Sequence, residues 1–292
     1  MFLSKIIPAS IKRKIRKRFE RTVKVYTAVK PYEIKVEFEP ELKDKIAIVT
    51  GGSGAIGRAI CFRLAAMGAT VYVGGRSESS SMKVVDEIRQ SGLNAEPFVI
   101  DVSDEASVEE AFNSIRDNEG KLDILVNCAG GGARDAMASL ADQDIKIIDE
   151  IMASNLRGTI LCTRKAAQMM IPQKAGKIVM ISSAVGIQGK AKYSEYAAAK
   201  SGMIGFMKSV ALELGPYDIN VNCVSPGFIQ RGEYDEKQLD YLKKSNAMKK
   251  VGSLEDVACA VAFMVSSSAE FITGQNLCVD GGRTLGLVGD TT

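Results

Sequence analysis

The sequence has no histidine among its 292 residues. That absence excludes Ser-His-Asp and Cys-His catalysis and every His-ligated zinc site, and no metal centre is expected. Any proton donor must be Tyr, Lys, Asp, Glu or Cys with a pKa shifted by its surroundings. The six cysteines (Cys61, Cys128, Cys162, Cys223, Cys259 and Cys278) are scattered, with no Cys-x-x-Cys pair. They read as thiols of a reducing compartment rather than a disulfide frame, so a cytoplasmic location is expected. Runs of about 18 apolar residues are also missing, which excludes a transmembrane helix on the hydropathy criterion. What remains is ordinary for a globular chain: 46% hydrophobic and 25% charged residues, with enough length to bury an ample core.

The charge is unevenly spread. Ten of the 38 basic residues but one of the 35 acidic ones fall in residues 1–30, so this arm carries +9 and the rest of the chain −6. Ile7, Ile11, Ile15, Phe19 and Val23 recur every four positions among lysines and arginines, which predicts an amphipathic basic helix. A β-like stretch, Tyr32–Phe38, follows. Residues 5–30 could contact an anionic membrane surface, dock on a protein or another subunit, or act as a transit peptide, though no cleavage site is evident. Nucleic-acid binding is not expected. The predicted organisation is an extension over 1–43, one domain over 44–286 and a tail over 287–292.

From Lys45 onward short β-rich runs alternate with helix-length segments. Strands are predicted at 46–50, 70–73, 96–100, 123–126, 177–181, 219–224 and 277–279. Helices are predicted at 55–67 and 82–90, and another follows the cap Asp104 through Ala111, Phe112 and Ile115. Nearly continuous apolar strands between helices imply an α/β fold, a Rossmann-like doubly wound parallel sheet covered on both faces. In such sheets ligands bind beyond the carboxyl ends of the strands.

The strand ends carry the informative residues. After the first strand, TGGSGAIGRA over residues 50–59 supplies Gly51 and Gly57 for a tight turn that brings backbone N–H groups toward a pyrophosphate. After the second come Arg76 and Ser77, where an NAD site usually offers a carboxylate. Arg76, helped by Ser77, could pair with a 2′-phosphate, or it could be a solvated arginine; the reading favours NADP(H) and leaves NAD(H) open. Asp101 and Val102 could bracket an adenine ring, or Asp101 could cap the next turn. Asn127, Ala129 and Gly130 would let a cofactor lie against the backbone. Ser183 follows the fifth strand, and Tyr196 precedes Lys200 by one helical turn, on the same face. A Lys ammonium beside a phenol stabilises the phenolate, which gives an acid/base without histidine. A second Tyr-x-x-x-Lys, Tyr26 to Lys30, lacks any such setting and is read as accidental.

Taken together, Thr50-Gly51…Gly57, Asn127-x-Ala129-Gly130, Asn155, Ser183, Tyr196-x-x-x-Lys200, Pro226-Gly227 and Thr273-Gly274…Gly282 resemble the short-chain dehydrogenase/reductase family over residues 44–286. The resemblance implies that Tyr196 exchanges a proton with the substrate oxygen and that Lys200 lowers its pKa and bonds the nicotinamide ribose. It also implies that Ser183 holds the carbonyl oxygen and Asn155 positions a relay water. Ser53, Gly54, Ile56, Pro226, Gly227 and Ile229 join the implied cofactor set, together with Tyr196 and Lys200. Ala55 stands where the family pattern has a glycine, and Gly54 is expected to supply the lost flexibility.

Arg231 occupies a position where family members often carry Thr; an arginine there could reach an anionic substrate or the cofactor phosphates, or point to solvent. The polar segment before Leu254 does not suggest a greasy substrate pocket. Within the family the chain most resembles beta-ketoacyl-acyl-carrier-protein reductases, which implies a small-molecule or acyl-carrier-linked carbonyl substrate. Sugar or polyol dehydrogenation, or a non-catalytic scaffold docking through the arm, are the alternatives. A homo-oligomer, tetramer or dimer, is expected from the same resemblance.

Overall fold

The computed structural model describes residues 21–26, 31–36, 41–131, 137–231 and 235–286. The chain divides into two units, Met1–Glu41 and Leu42–Thr292. In the first, β1 (Arg21–Tyr26) pairs antiparallel with β2 (Pro31–Val36). Val23, read as the last apolar position of a basic helix, therefore lies in a strand. The segment RTVKVY holds three β-branched residues and a tyrosine, a composition that favours extended backbone over helix. The rest of that predicted helix, and Lys30 of the second Tyr-x-x-x-Lys, lie outside the described residues.

The larger unit is a seven-stranded sheet in the order β5-β4-β3-β6-β7-β8-β9, parallel throughout. Its strands are β3 (Ile46–Thr50), β4 (Thr70–Gly75), β5 (Ala95–Val99), β6 (Ile124–Asn127), β7 (Gly176–Ile181), β8 (Ile219–Pro226) and β9 (Asn276–Val279). All seven coincide with predicted strands to within two residues at each end. Every residue of β3, β6 and β8 is buried, because helices cover both faces and neither side reaches water.

On one face, α1 (Ala55–Ala66), α2 (Glu78–Gln90) and α9 (Leu254–Val265) bury Ile60, Leu64, Val85, Ile88 and Val261. On the other, α3 (Glu105–Glu119), α5 (Gly158–Gln173) and α7 (Ser194–Leu214) bury Ile115, Met170, Met203 and Met207. Shorter helices α4 (Ile145–Met152), α6 (Val185–Gln188) and α8 (Glu236–Lys244) sit near the carboxyl ends of the strands or on the polar segment before α9. Asp104 caps α3 by accepting from Ala106 N, as expected. By contrast, α2 begins at Glu78, four residues before its predicted start, since Ser79, Ser80 and Ser81 carry no apolar signal but continue the turn.

Strand order reverses at β3, whose neighbours are β4 and β6. The crossovers leave this point in opposite directions and open a crevice above the sheet. No helix among the described residues is long and apolar enough to cross a membrane.

Candidate active site

The crevice is a cleft of about 820 Å³, and one end of it is built by the β3–α1 turn. Gly51 has φ +66°, and a side chain there would put its Cβ 2.8 Å from Ala129 Cα. A Cβ at Gly57 would lie 2.1 Å from the Gly51 carbonyl oxygen, so the turn and the helix pack with no room for one. The amino end of α1 faces the cleft through Gly54, Ala55, Ile56 and Gly57, without a side-chain cap and without an acidic residue in its first turn. Such an end is suited to an anion. Gly54 itself has φ −78° and ψ 163°, open to any residue, so it does not supply the freedom that Ala55 removes. The positions that cannot take a side chain are Gly51 and Gly57.

Thr50 is the clamp beneath this turn. Its buried hydroxyl accepts from Cys128 N and Ala129 N, both at 3.1 Å, and ties β3 to the loop after β6. Replacing it with the isosteric valine orphans two partly buried donors. Thr50→Val is expected to cost about 1–3 kcal/mol of stability, read as the shift of a chemical denaturation midpoint. An unchanged midpoint would show that these contacts carry no net stability.

Arg76, Asp101 and Val102 line the same cleft, alongside Ser53 of the β3–α1 turn. The Asp101 carboxylate accepts from the Ser103 hydroxyl at 2.6 Å and from Ser103 N at 3.0 Å. The Ser103 bond, aided by Arg76, holds that carboxyl below its usual range. Asp101 therefore both faces the cleft and caps its turn. Ser77 does not line the cleft; it is exposed at the entrance of α2, its hydroxyl 2.8 Å from that of Ser79.

The cleft also gathers Ala129, Gly130, Ser183, Tyr196, Lys200, Pro226 and Gly227. Ser183 follows β7 and accepts from Val185 N at 3.1 Å, which fixes its side chain at the start of α6. Tyr196 and Lys200 stand one turn apart on α7. Lys200 is only 4% exposed; its ammonium donates to the Ile181 carbonyl at 2.9 Å and lies 5.6 Å from the centre of the Tyr196 ring. Burial is the main reason its pKa falls to about 8; Arg231 adds to the fall, while Cys128 and Cys223 oppose it. The Ser182 hydroxyl donates to the Lys200 carbonyl at 2.9 Å and anchors α7 to the sheet.

Besides Ser77, three expected site residues lie elsewhere. Asn127 is buried and donates to the Thr163 hydroxyl at 3.0 Å, bracing β6 against α5 rather than facing the cleft. Ile229 is 3% exposed, forms an isolated bridge with Gly252 and belongs to the core. Asn155, in a π-helical turn over Ala153–Arg157, is fully buried behind the cleft wall. Its side-chain amide donates to the Ile151 carbonyl at 3.0 Å and the Gly131 carbonyl at 3.3 Å. Its Oδ1 would lie 2.3 Å from a Cβ at Gly130, where φ is +128°. The side chain thus shapes the loop after β6 instead of lining the cleft. Arg231, where the family pattern often has Thr, lines the cleft rather than pointing only to solvent.

A doubly wound parallel sheet, a phosphate-sized turn at its switch point and a Tyr-Lys pair beside that turn define a dinucleotide-binding protein equipped for acid/base work. More particularly, the chain belongs to the short-chain dehydrogenase/reductase family: the family model described as enoyl-(acyl carrier protein) reductase matches residues 51–284. Such proteins are oxidoreductases that use NAD(P)(H). The 3-oxoacyl-[acyl-carrier-protein] reductase FabG of Salmonella typhimurium (strain LT2) is 37% identical over 242 residues, covering 82% of this chain and 96% of the relative. The cyclohexanol dehydrogenase of Rhodococcus sp. (strain TK6) is 36% identical over 268 residues, covering 83% and 97%. The solved structure of a short-chain type dehydrogenase/reductase from Mycobacterium ulcerans superposes with a TM-score of 0.79 at 29% identity, covering 84% of this chain and 91% of that one.

Proposed function

We propose that this protein is an NADP(H)-preferring carbonyl reductase acting on 3-oxoacyl thioesters. The observation that carries the reading is the buried Lys200 ammonium within 5.6 Å of the Tyr196 ring, on a cleft wall shared with Ser183. The residues present fit a dinucleotide. The uncapped end of α1 and the Gly51–Gly57 turn would hold its pyrophosphate, and Arg76 with Asp101 would flank its adenosine end. When bound, the reduced nicotinamide supplies a hydride to the carbonyl carbon and is itself oxidised.

The chain's own residues manage the proton. Ser183 donates to the carbonyl oxygen and orients it. Tyr196 gives its phenolic proton to that oxygen as charge develops there, and the C=O group becomes an alcohol. Lys200 stabilises the resulting phenolate. In the reverse direction Tyr196 takes the alcohol proton. The relatives named for 3-oxoacyl-carrier substrates support the thioester choice. The cyclohexanol dehydrogenase supports a second reading, oxidation of a small alcohol at the same hydroxyls. Initial rates with acetoacetyl thioesters and with cyclic alcohols, each with both nicotinamide cofactors, separate the two.

Arg76 sets the cofactor preference in this reading. A guanidinium pairs with a 2′-phosphate, whereas a carboxylate repels it and bonds a free ribose hydroxyl. Arg76→Asp is therefore expected to shift the ratio of kcat/KM for NADPH over NADH toward NADH by about 10²-fold. A ratio that does not move would remove Arg76 from cofactor selection.

The proposal also includes a homo-oligomer. Phe271, Leu212 and Leu285 are strongly exposed, and the edge strand β9 leaves Leu277 partly exposed. These residues support self-association, and sedimentation velocity of the purified chain would test it.

A further inference from the structure

A second recess, of about 300 Å³, opens from the cleft. The two share Gly131, Ser183, Tyr196, Pro226, Gly227 and Arg231, so the recess begins where the two hydroxyls stand. Its volume is at the lower end of the range for small-molecule sites. Its outer wall brings in Lys190, Tyr193, Phe228 and Arg283.

Three cations converge there from three separate parts of the chain: Lys190 between α6 and α7, Arg231 after β8, and Arg283 after β9. Two of them rest on aromatic faces. The Lys190 ammonium lies 4.0 Å from the Tyr193 ring centre and 5.7 Å from that of Phe228, while the Arg283 guanidinium lies 4.2 Å over Phe228. Arg283 also donates to the Ser245 carbonyl at 3.3 Å. These contacts hold the cations in place without neutralising them. Among the described residues none of the three forms an ion pair, and no Asp or Glu lines the recess; the carboxylates Asp101 and Glu150 line only the larger cleft. Like charges gathered in a concave wall repel one another, and an anion entering the recess relieves that repulsion. The field of Arg231 extends inward, where it helps lower the pKa of Lys200.

We infer that the recess binds an anionic group, carboxylate or phosphate, carried by the carbonyl substrate beyond the atom that Ser183 and Tyr196 address. The inference rests on the reductase reading for the position of the carbonyl, and on charge and geometry for the rest. A thioester substrate could bring the anion from either end: a carboxylate closing its acyl chain, or the phosphate of a pantetheine arm.

Calorimetric titration of the full chain distinguishes these sources with matched probes. One pair is 3-oxoglutarate and its dimethyl ester; the other is acetoacetyl phosphopantetheine and acetoacetyl pantetheine. In at least one pair the charged member is expected to bind about tenfold more tightly, and that pair identifies the source. The gap should shrink to about twofold in Arg231→Gln/Arg283→Gln, and also in the unmodified protein when salt is raised to about 0.5 M. The salt arm does not depend on how the variant folds. Equal affinities in both pairs, or a gap that survives salt, overturn the inference. NADPH oxidation followed in the same samples separates it from the reading beneath it. A charge preference without turnover removes the reductase and leaves the anion site, whereas turnover without a charge preference does the reverse.

Discussion

Tyr196→Phe is expected to lower kcat for carbonyl reduction by about 10³-fold, with NADPH consumption as the readout. The substitution removes one oxygen and little else. The aromatic ring keeps its edge-on contact with Tyr193, whose centre is 6.5 Å away at 70°, and Lys200 keeps its bond to the Ile181 carbonyl. The remaining change is chemical. The chain has no histidine to stand in, and Ser183 has an alcohol's pKa, far too high for the role. The Cys128 thiol, though in the same cleft, is pushed by burial up to about 11 and is a poor proton source. The loss should therefore fall on kcat more than on KM. A variant that retains more than about a tenth of the turnover would assign the proton to another group. If the unmodified protein shows no turnover with any carbonyl substrate, the scaffold alternative gains.

The readings from sequence succeeded where the signal is local and failed where it is not. The strands β3, β6 and β8 are buried on both sides, so their residues are apolar in unbroken runs that need no partner to be recognised. Gly51 and Gly57 are legible because a turn that cannot accept a Cβ leaves a residue type behind. Tyr196 and Lys200 lie one helical turn apart, a spacing that fixes a shared face. For Asn127 and Ile229 the sequence did not show the side chain's direction, because a position in a run does not reveal which way it turns. Asn127 faces Thr163 on α5, and Ile229 faces the core. Of the cationic recess only Arg231 was legible, as an arginine able to reach an anion. Lys190 and Arg283 are 93 positions apart in the chain, and only the sheet brings their segments to one wall. Val23 shows the converse error, in which a four-residue repeat suggested helix although the β-branched composition around it leads to a strand.

Lys200→Met is expected to move activity and stability in opposite directions. The ammonium is 4% exposed and donates to one carbonyl, that of Ile181, so the fold holds a charge that water would solvate far better. The folded-state pKa of about 8 lies below the ordinary lysine value of 10.5. The sign follows from proton counts. Between those two values the unfolded chain binds more protons than the native one, so the stability of the unmodified protein rises with pH across that window. The penalty is fully present below about 8, where it amounts to about 3 kcal/mol.

Methionine has a similar length and no charge, and removes that penalty. It also removes the donor to Ile181, at a cost of about 1 kcal/mol. The net expectation near neutral pH is a gain of about 1–2 kcal/mol, together with loss of the rise at alkaline pH. Turnover should fall by about 10²-fold or more, because the Tyr196 phenolate loses its counter-charge. In the unmodified protein the reduction rate should likewise decline as pH rises through about 8 and Lys200 gives up its proton. Denaturant titrations of both proteins at neutral and alkaline pH, beside their rate profiles, decide the matter. A Lys200→Met protein that is less stable than the original at neutral pH would mean that the ammonium holds the fold together. The buried charge would then be a structural strut and not a strain retained for proton transfer.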